Sequence, residues 1–466
     1  MKKIIFLFSV IVAAYATHAQ QSMTLYNMQA IPQRNSLNPA LQYDGTGMVG
    51  FPMLSSVYFN LSNSAFKITD FVRRSDDDSL YLDGDNMIGK MKDEHNFIST
   101  SLQADIFSFG FKVKKSYFAF GVTEKINSQF DYPKEMMEFI WKGNAATLGK
   151  ESVLQFGFNF MHYREYSLTY SIVLSNKLSL GTKLKYLYGM ENASSNNSRI
   201  SLYTDPYSFA ITAKSNININ TSGLEDNSFD NFSMSEYAFG RKNTGYALDL
   251  GAGYKFSEKI FLSASVLDLG KIKWNSHVVN YKSNTENGEF TYYGIDLDQF
   301  VSGTSANDVW QNLADTLTTT FQVNPSHDSY QTKLPTQFYI GSNYMINQKN
   351  SFGILMHGEK FDKKMHGDYT LSYNKSVGKW LNVAGSWSVI NQSAANFGLG
   401  LALKLGSEQI YFASDNVYGV FYPARSKNTN FRAGINFVFS KKAKPVKQQE
   451  NEPAIENLNT KTTEVK

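Results

Sequence analysis

The sequence predicts an all-β fold, an antiparallel up-and-down transmembrane β-barrel of about 14 strands with an N-terminal plug segment and long extracellular loops. Three observations lead there. Between positions 166 and 174, Tyr166, Leu168, Tyr170, Ile172 and Leu174 share one parity while Ser167, Thr169 and Ser171 share the other. A period of two puts successive side chains on opposite faces of a sheet. After Asn176 and Lys177 the alternation resumes, with Leu178, Leu180, Leu184, Tyr186 and Tyr188 against Ser179, Gly181, Lys183 and Lys185, so two strands meet in a hairpin. The third observation is the spacing of connections along the whole chain: long after strands 1, 3, 5 and 7 and tight after the even ones. Outer-membrane barrels carry that asymmetry, and it places both termini in the periplasm.

The N-terminus opens on Lys2 and Lys3, continues with an apolar run over 4–14, and reaches small residues at Thr17 and Ala19. This reads as a secretory signal peptide, residues 1–19, cleaved after Ala19. The run falls short of the ~20 residues a spanning helix needs. The remaining chain has no cysteine, yet 28 Tyr and 35 Phe make the sequence 15% aromatic. An exported protein of this size without disulfides needs another framework, and a closed ring of hydrogen-bonded strands suffices. The aromatic residues suit interfacial girdles. A formal net charge of +4 is too small to indicate nucleic acid as a partner.

Residues 20–45 are polar and turn-rich and contain Asn38, Pro39 and Ala40. They are expected as a plug, because a ring of this many strands is wider than the eight-stranded barrel that side chains alone can fill. The barrel is expected over 46–439. Its first strand, within 45–61, is broken by Pro52; polar insertions follow at 62–96 and 131–150, the second with a short helix starting at Pro133. The stretch 191–244 has room for its own hairpin near Asp205 and Pro206. In the insertion 275–334, Val309, Trp310, Leu313, Leu317 and Phe321 form a helical apolar stripe, read as a loop helix packed on or in the barrel mouth. From Pro335 onward seven strands follow one another without a helix, with connections that include 361–367, and the last ends on Phe439. Residues 440–466 are charged, lack an apolar period and read as a disordered periplasmic tail.

Several stretches carry a resemblance to a known group: Pro32-Gln-Arg-Asn-Ser-Leu-Asn-Pro-Ala40, Gly50-Phe-Pro, Tyr163-Arg-Glu-Tyr166, Lys185-Tyr-Leu-Tyr-Gly189 and Arg432-Ala-Gly-Ile-Asn-Phe437. In these the chain resembles a Bacteroidota outer-membrane β-barrel family within the long-chain fatty-acid transporter (FadL-like) superfamily. The resemblance implies fourteen strands and an N-terminal plug with an Asn-Pro-Ala motif, here Asn38, Pro39 and Ala40. For function it implies uptake or passage of hydrophobic small molecules, or else a non-transporting accessory barrel of a type nine secretion or gliding apparatus. The expected partners are outer-membrane lipid, with either a hydrophobic ligand or a secretion or periplasmic protein.

Catalysis is not expected. A hydrolytic barrel would need a Ser-His-Asp or paired-carboxylate constellation, and His95, His162, His277, His327, His357 and His366 sit in no nucleophile motif. Metal-ligand spacings are missing too, so no metal or cofactor is expected. Parity nominates lumen-lining residues instead: Lys183, Lys185, Asp249, His357, Glu359, Asp368, Lys404 and Arg432. The simpler reading is that they pair to fill the lumen; the alternative is a polar lining for a passage, and mixed signs speak against strong ion selectivity.

Overall fold

Because strand residues alternate between faces, a sheet with one apolar face must turn that face to lipid or to a core. Here it curls until its first and last strands pair. In the computed structural model, which describes residues 22–93, 96–195, 198–224, 235–240, 242–283, 289–293, 319–321, 323–361, 364–390 and 393–440, fourteen antiparallel strands close a barrel. Strand β1 is in two pieces, Gly47–Gly50 and Val57–Asn63, separated at Pro52. β2 (Asn96–Val113), β3 (Ser116–Tyr132), β4 (Glu151–Val173) and β5 (Leu178–Ser195) follow. Then come β6 (Asn243–Lys255), β7 (Ile260–Trp274), β8 (Thr336–Asn347), β9 (Asn350–Phe361) and β10 (Lys364–Val377). β11 (Leu381–Ile390), β12 (Ser393–Leu405), β13 (Glu408–Ser414) and β14 (Asn428–Phe439) complete the ring. Closure runs through both pieces of β1, with Gly47 opposite Phe439 and Val57 opposite Ala433.

The connections after the even-numbered strands are all tight and share one end of the ring, while the long loops leave the other; these are hereafter the turn end and the loop end. The long loops leave β1, β3, β5 and β7, while β9 and β10 are joined across only 362–363, shorter than the 361–367 connection expected, because both strands run further than their apolar alternation shows. Beyond the loop end of β4, strand Ser198–Thr204 pairs with Ile211–Asn216, a hairpin whose turn is held by Asp205 accepting from the Tyr207 and Ser208 amides. The helix after Pro133 spans Lys134–Lys142 with Pro133 at its cap. The expected loop-helix stripe lies outside the described residues except for Phe321, which is buried.

Leu168, Tyr170, Leu180, Leu184 and Leu401 point outward and are exposed, with Tyr166 on the same face half-buried, whereas Ser167, Thr169, Ser171, Lys185 and Ala402 point inward and are buried. Residues 22–43 lie within the turn-end half of the ring. All of them are buried except Gln29, Ala30, Ser36 and Gln42. Met23, Leu25, Tyr26, Met28, Ile31 and Leu37 pack against Tyr339, Leu355, Ala384, Ala402 and Tyr411 of the wall, so the segment and the wall share a hydrophobic core on this side of the lumen.

Candidate functional site

Among the described residues, buried charge gathers in the lumen, and the N-terminal segment shapes that compartment. Asn38 docks that segment on the wall: its Oδ1 accepts from the Ala40 amide (3.0 Å), and its Nδ2 donates to the Tyr26 hydroxyl (3.0 Å) and the Ala264 carbonyl (3.1 Å). Two wall glycines make room for it. A Cβ on Gly181 would lie 2.3 Å from the Pro39 carbonyl carbon, and one on Gly251 would lie 2.2 Å from Asn38 Oδ1. The remainder of the segment is tied by side chains. Gln33 and Asn436 exchange amide bonds at 2.7 and 3.0 Å, and the Asp415 carboxylate accepts from the Met23 amide (3.0 Å) and the Thr24 amide (2.7 Å).

An ion network sits on β3 to β7, on the same stretch of wall that receives Asn38 and Pro39. Lys125 Nζ lies 2.6 Å from Glu165, and Lys185 Nζ lies 2.8 Å from Asp249 and 2.7 Å from Asp268. Lys183 Nζ, at 3.9 Å, is more loosely associated with Glu165. Asp249 Oδ1 also accepts from the Asp268 backbone amide at 2.8 Å. Charges so buried persist only when paired, and the network is paired throughout. Beside it a cavity of about 110 Å³ opens between the N-terminal segment and the wall, lined by Gln33, Gln103, Asp105, Thr123, Lys183 and Arg432 among others.

Of the eight nominated residues, Lys183, Lys185 and Asp249 meet in this network. Arg432 stands apart as the hub of a second one: it donates to Ser22 Oγ (3.1 Å), Ser56 Oγ (2.8 Å) and Gln103 Oε1 (3.3 Å) and lies 4.5 Å over the Tyr58 ring. His357 and Asp368 face each other across β9 and β10 at 3.7 Å, fully buried, with Tyr339 stacked on the imidazole at 4.4 Å. Glu359 follows His357 on the same parity. Lys404 joins neither group. It is placed at the turn end, where its ammonium bonds Ser440 Oγ at 2.9 Å.

Sequence reasoning missed Lys125, Glu165 and Asp268. Glu165 was within reach, since it shares parity with Ser167 and Thr169 on β4. Asp268 was not: on the parity of Leu262, Ala264 and Val266 it belongs on the lipid face. A bulge reverses it, with Asp268 at φ +60° and the β6–β7 register shifting between Leu248 and Leu250. Leu267 and Asp268 consequently both point inward, buried.

Toward the loop end the lumen changes character. Met161, Tyr163, Leu187, Ala247, Ile272, Trp274, Val278 and Leu334 form a buried apolar cluster inside the wall, and the Trp274 indole donates to Thr332 Oγ1. Among the described residues no three His, Asp or Glu side chains gather as metal ligands.

Known structures of similar fold include a Pseudomonas aeruginosa FadL homologue, with a TM-score of 0.43 and 11% identity over 91% of this chain and 100% of that one. The Pseudomonas putida toluene transporter TodX gives 0.38 and 10% over 91% and 95%. The translocator domain of the autotransporter NalP from Neisseria meningitidis gives 0.33 and 6% over 90% and 95%. No curated protein matches the sequence. The model of a family of unknown function, DUF5723, matches residues 39–415, and the chain belongs to that family.

Proposed function

We propose that this protein is an outer-membrane barrel, with its turns and termini in the periplasm, that takes up a hydrophobic small molecule through its loop end and releases it past an N-terminal plug formed by residues 22–43. The observation that carries this reading is the apolar cluster around Trp274 inside the loop-end lumen. A water-filled pore is lined by polar side chains, whereas a site for a greasy ligand is concave and mostly apolar with a few polar groups; here Thr332, Asn192 and Tyr330 supply those groups through bonds at the cluster's edge. The buried turn-end half fits the same reading, because a barrel closed by its own segment passes little water or salt until that segment shifts.

Purification in mild detergent followed by mass spectrometry of what accompanies the protein tests it. A stoichiometric fatty acid, lipid or hydrocarbon is expected, and substituting Trp274 and Ile272 by Asn should strip it. Deleting 22–44 should raise conductance in planar bilayers. A stable protein partner with no ligand would overturn the uptake reading in favour of an accessory barrel.

A further inference from the structure

The outer wall holds a feature that neither the barrel closure nor the lumen uses. Lys271 and Lys273 follow Leu269 on the outward parity of β7, Lys333 leads into β8, and Lys360 is the outward residue near the loop end of β9; all four are exposed. Lys271 and Lys333 are directly opposite in the register, a like-charge pairing that destabilises a sheet. None of the four has a carboxylate partner among the described residues. Elsewhere on the wall the outward cation Arg164 is neutralised by Glu124 at 2.8 Å.

Height gives the lysines their meaning. Strands rise ~3.3 Å per residue and tilt ~40° in such barrels, so each residue adds about 2.5 Å along the membrane normal. Lys360 is ten residues beyond Asn350 and Lys271 eleven beyond Ile260, the turn-end limits of their strands. Both therefore stand ~25 Å or more from the turn end, at the top of an apolar band about 25 Å tall. Below them on the same strands the outward residues are apolar: Leu262 and Leu269, Phe352 and Ile354. Beside Lys271 in the register is Tyr246, the end of a tyrosine row that continues through Tyr186 to Tyr166, as in an interfacial girdle.

We infer that Lys271, Lys273, Lys333 and Lys360 form a docking surface for the anionic phosphorylated headgroups of lipids in the leaflet at the loop end. Phosphate complements ammoniums that have no carboxylate partner among the described residues, and a headgroup seated between Lys271 and Lys333 converts their mutual repulsion into a shared attraction. The inference rests on the membrane-barrel reading but not on uptake of a ligand.

The test is native mass spectrometry and thermal unfolding of the full chain in nanodiscs of phosphatidylglycerol or of phosphatidylcholine. The wild type should retain anionic lipid and unfold at higher temperature in phosphatidylglycerol. The quadruple variant Lys271→Gln, Lys273→Gln, Lys333→Gln, Lys360→Gln should retain about tenfold less and lose that difference, and the corresponding Arg variant should keep both. Removing as many charges at the turn end, by Lys114→Gln, Lys177→Gln, Lys349→Gln and Lys375→Gln, should leave retention near wild type. Equal lipid retention by the two Gln variants would overturn the inference, whereas failure of either to insert into nanodiscs would count against the barrel reading itself.

Discussion

Neighbouring residues on one strand of this barrel face different solvents, and the structure sharpens what substitution at each should do. Leu401 points outward four residues from Leu405, the turn-end limit of β12, ~10 Å into the band at about 2.5 Å per residue. Arginine there meets lipid near the midplane and should cost roughly 2–4 kcal/mol, read from urea unfolding in vesicles. Leu180 also points outward, but β5 starts at Leu178, so it sits at the band's edge rather than mid-strand and Leu180→Arg should cost only ~0–1 kcal/mol. A cost at Leu180 equal to that at Leu401 would contradict these depths. Gly181 faces the other way, against Pro39 and Ala40. There size decides: Gly181→Leu must displace the N-terminal segment, so it should raise bilayer conductance, and an unchanged trace would mean that the segment is not seated on this glycine.

At the scale of elements, the loops carry local devices of their own. The helix Gly84–Gly89 in the long loop after β1 is capped by Asp83, whose Oδ1 accepts from the Asn86 amide at 2.9 Å and whose Oδ2 accepts from Arg73 at 2.8 Å. The amide bond, then the guanidinium, holds this carboxyl below the usual carboxylate range. A group depressed on folding stabilises the fold above its unfolded value, near ~3.9 for Asp, and that contribution fades as pH falls through the folded value. Protection of the 86–89 amides against hydrogen exchange should therefore hold from neutral pH to about 5 and drop below ~4. Asp83→Asn keeps a capping oxygen and should flatten the pH dependence; a wild-type profile in that variant would assign the step to another group.

For the whole molecule, closure is the property with the widest consequences. With β14 paired to both pieces of β1, no strand edge is left open in the ring, and such a fold resists detergent far better than an open sheet. The protein should remain in the membrane fraction through carbonate washing and should run faster on gels when unheated than when boiled. Release by carbonate would refute a spanning barrel.

The sequence by itself determined the ring. Period-two alternation, together with long and tight connections on alternate strands, specifies which faces are apolar and how many strands there are, because register is pinned wherever one face must meet lipid. The same parity nominated Lys183, Lys185, Asp249 and Arg432 as lumen residues. Only the tertiary structure decided which of these meet. Lys185 finds Asp249 across a register that joins β5 to β6, but its second partner, Asp268, arrives through a bulge that breaks the parity rule, and Arg432 is linked to Ser22 across 410 positions of sequence. Alternation is a local property of a strand and can be read along the chain; a bulge and a long-range pairing are fixed by what lies on the next strand and in the lumen, and no local pattern encodes them.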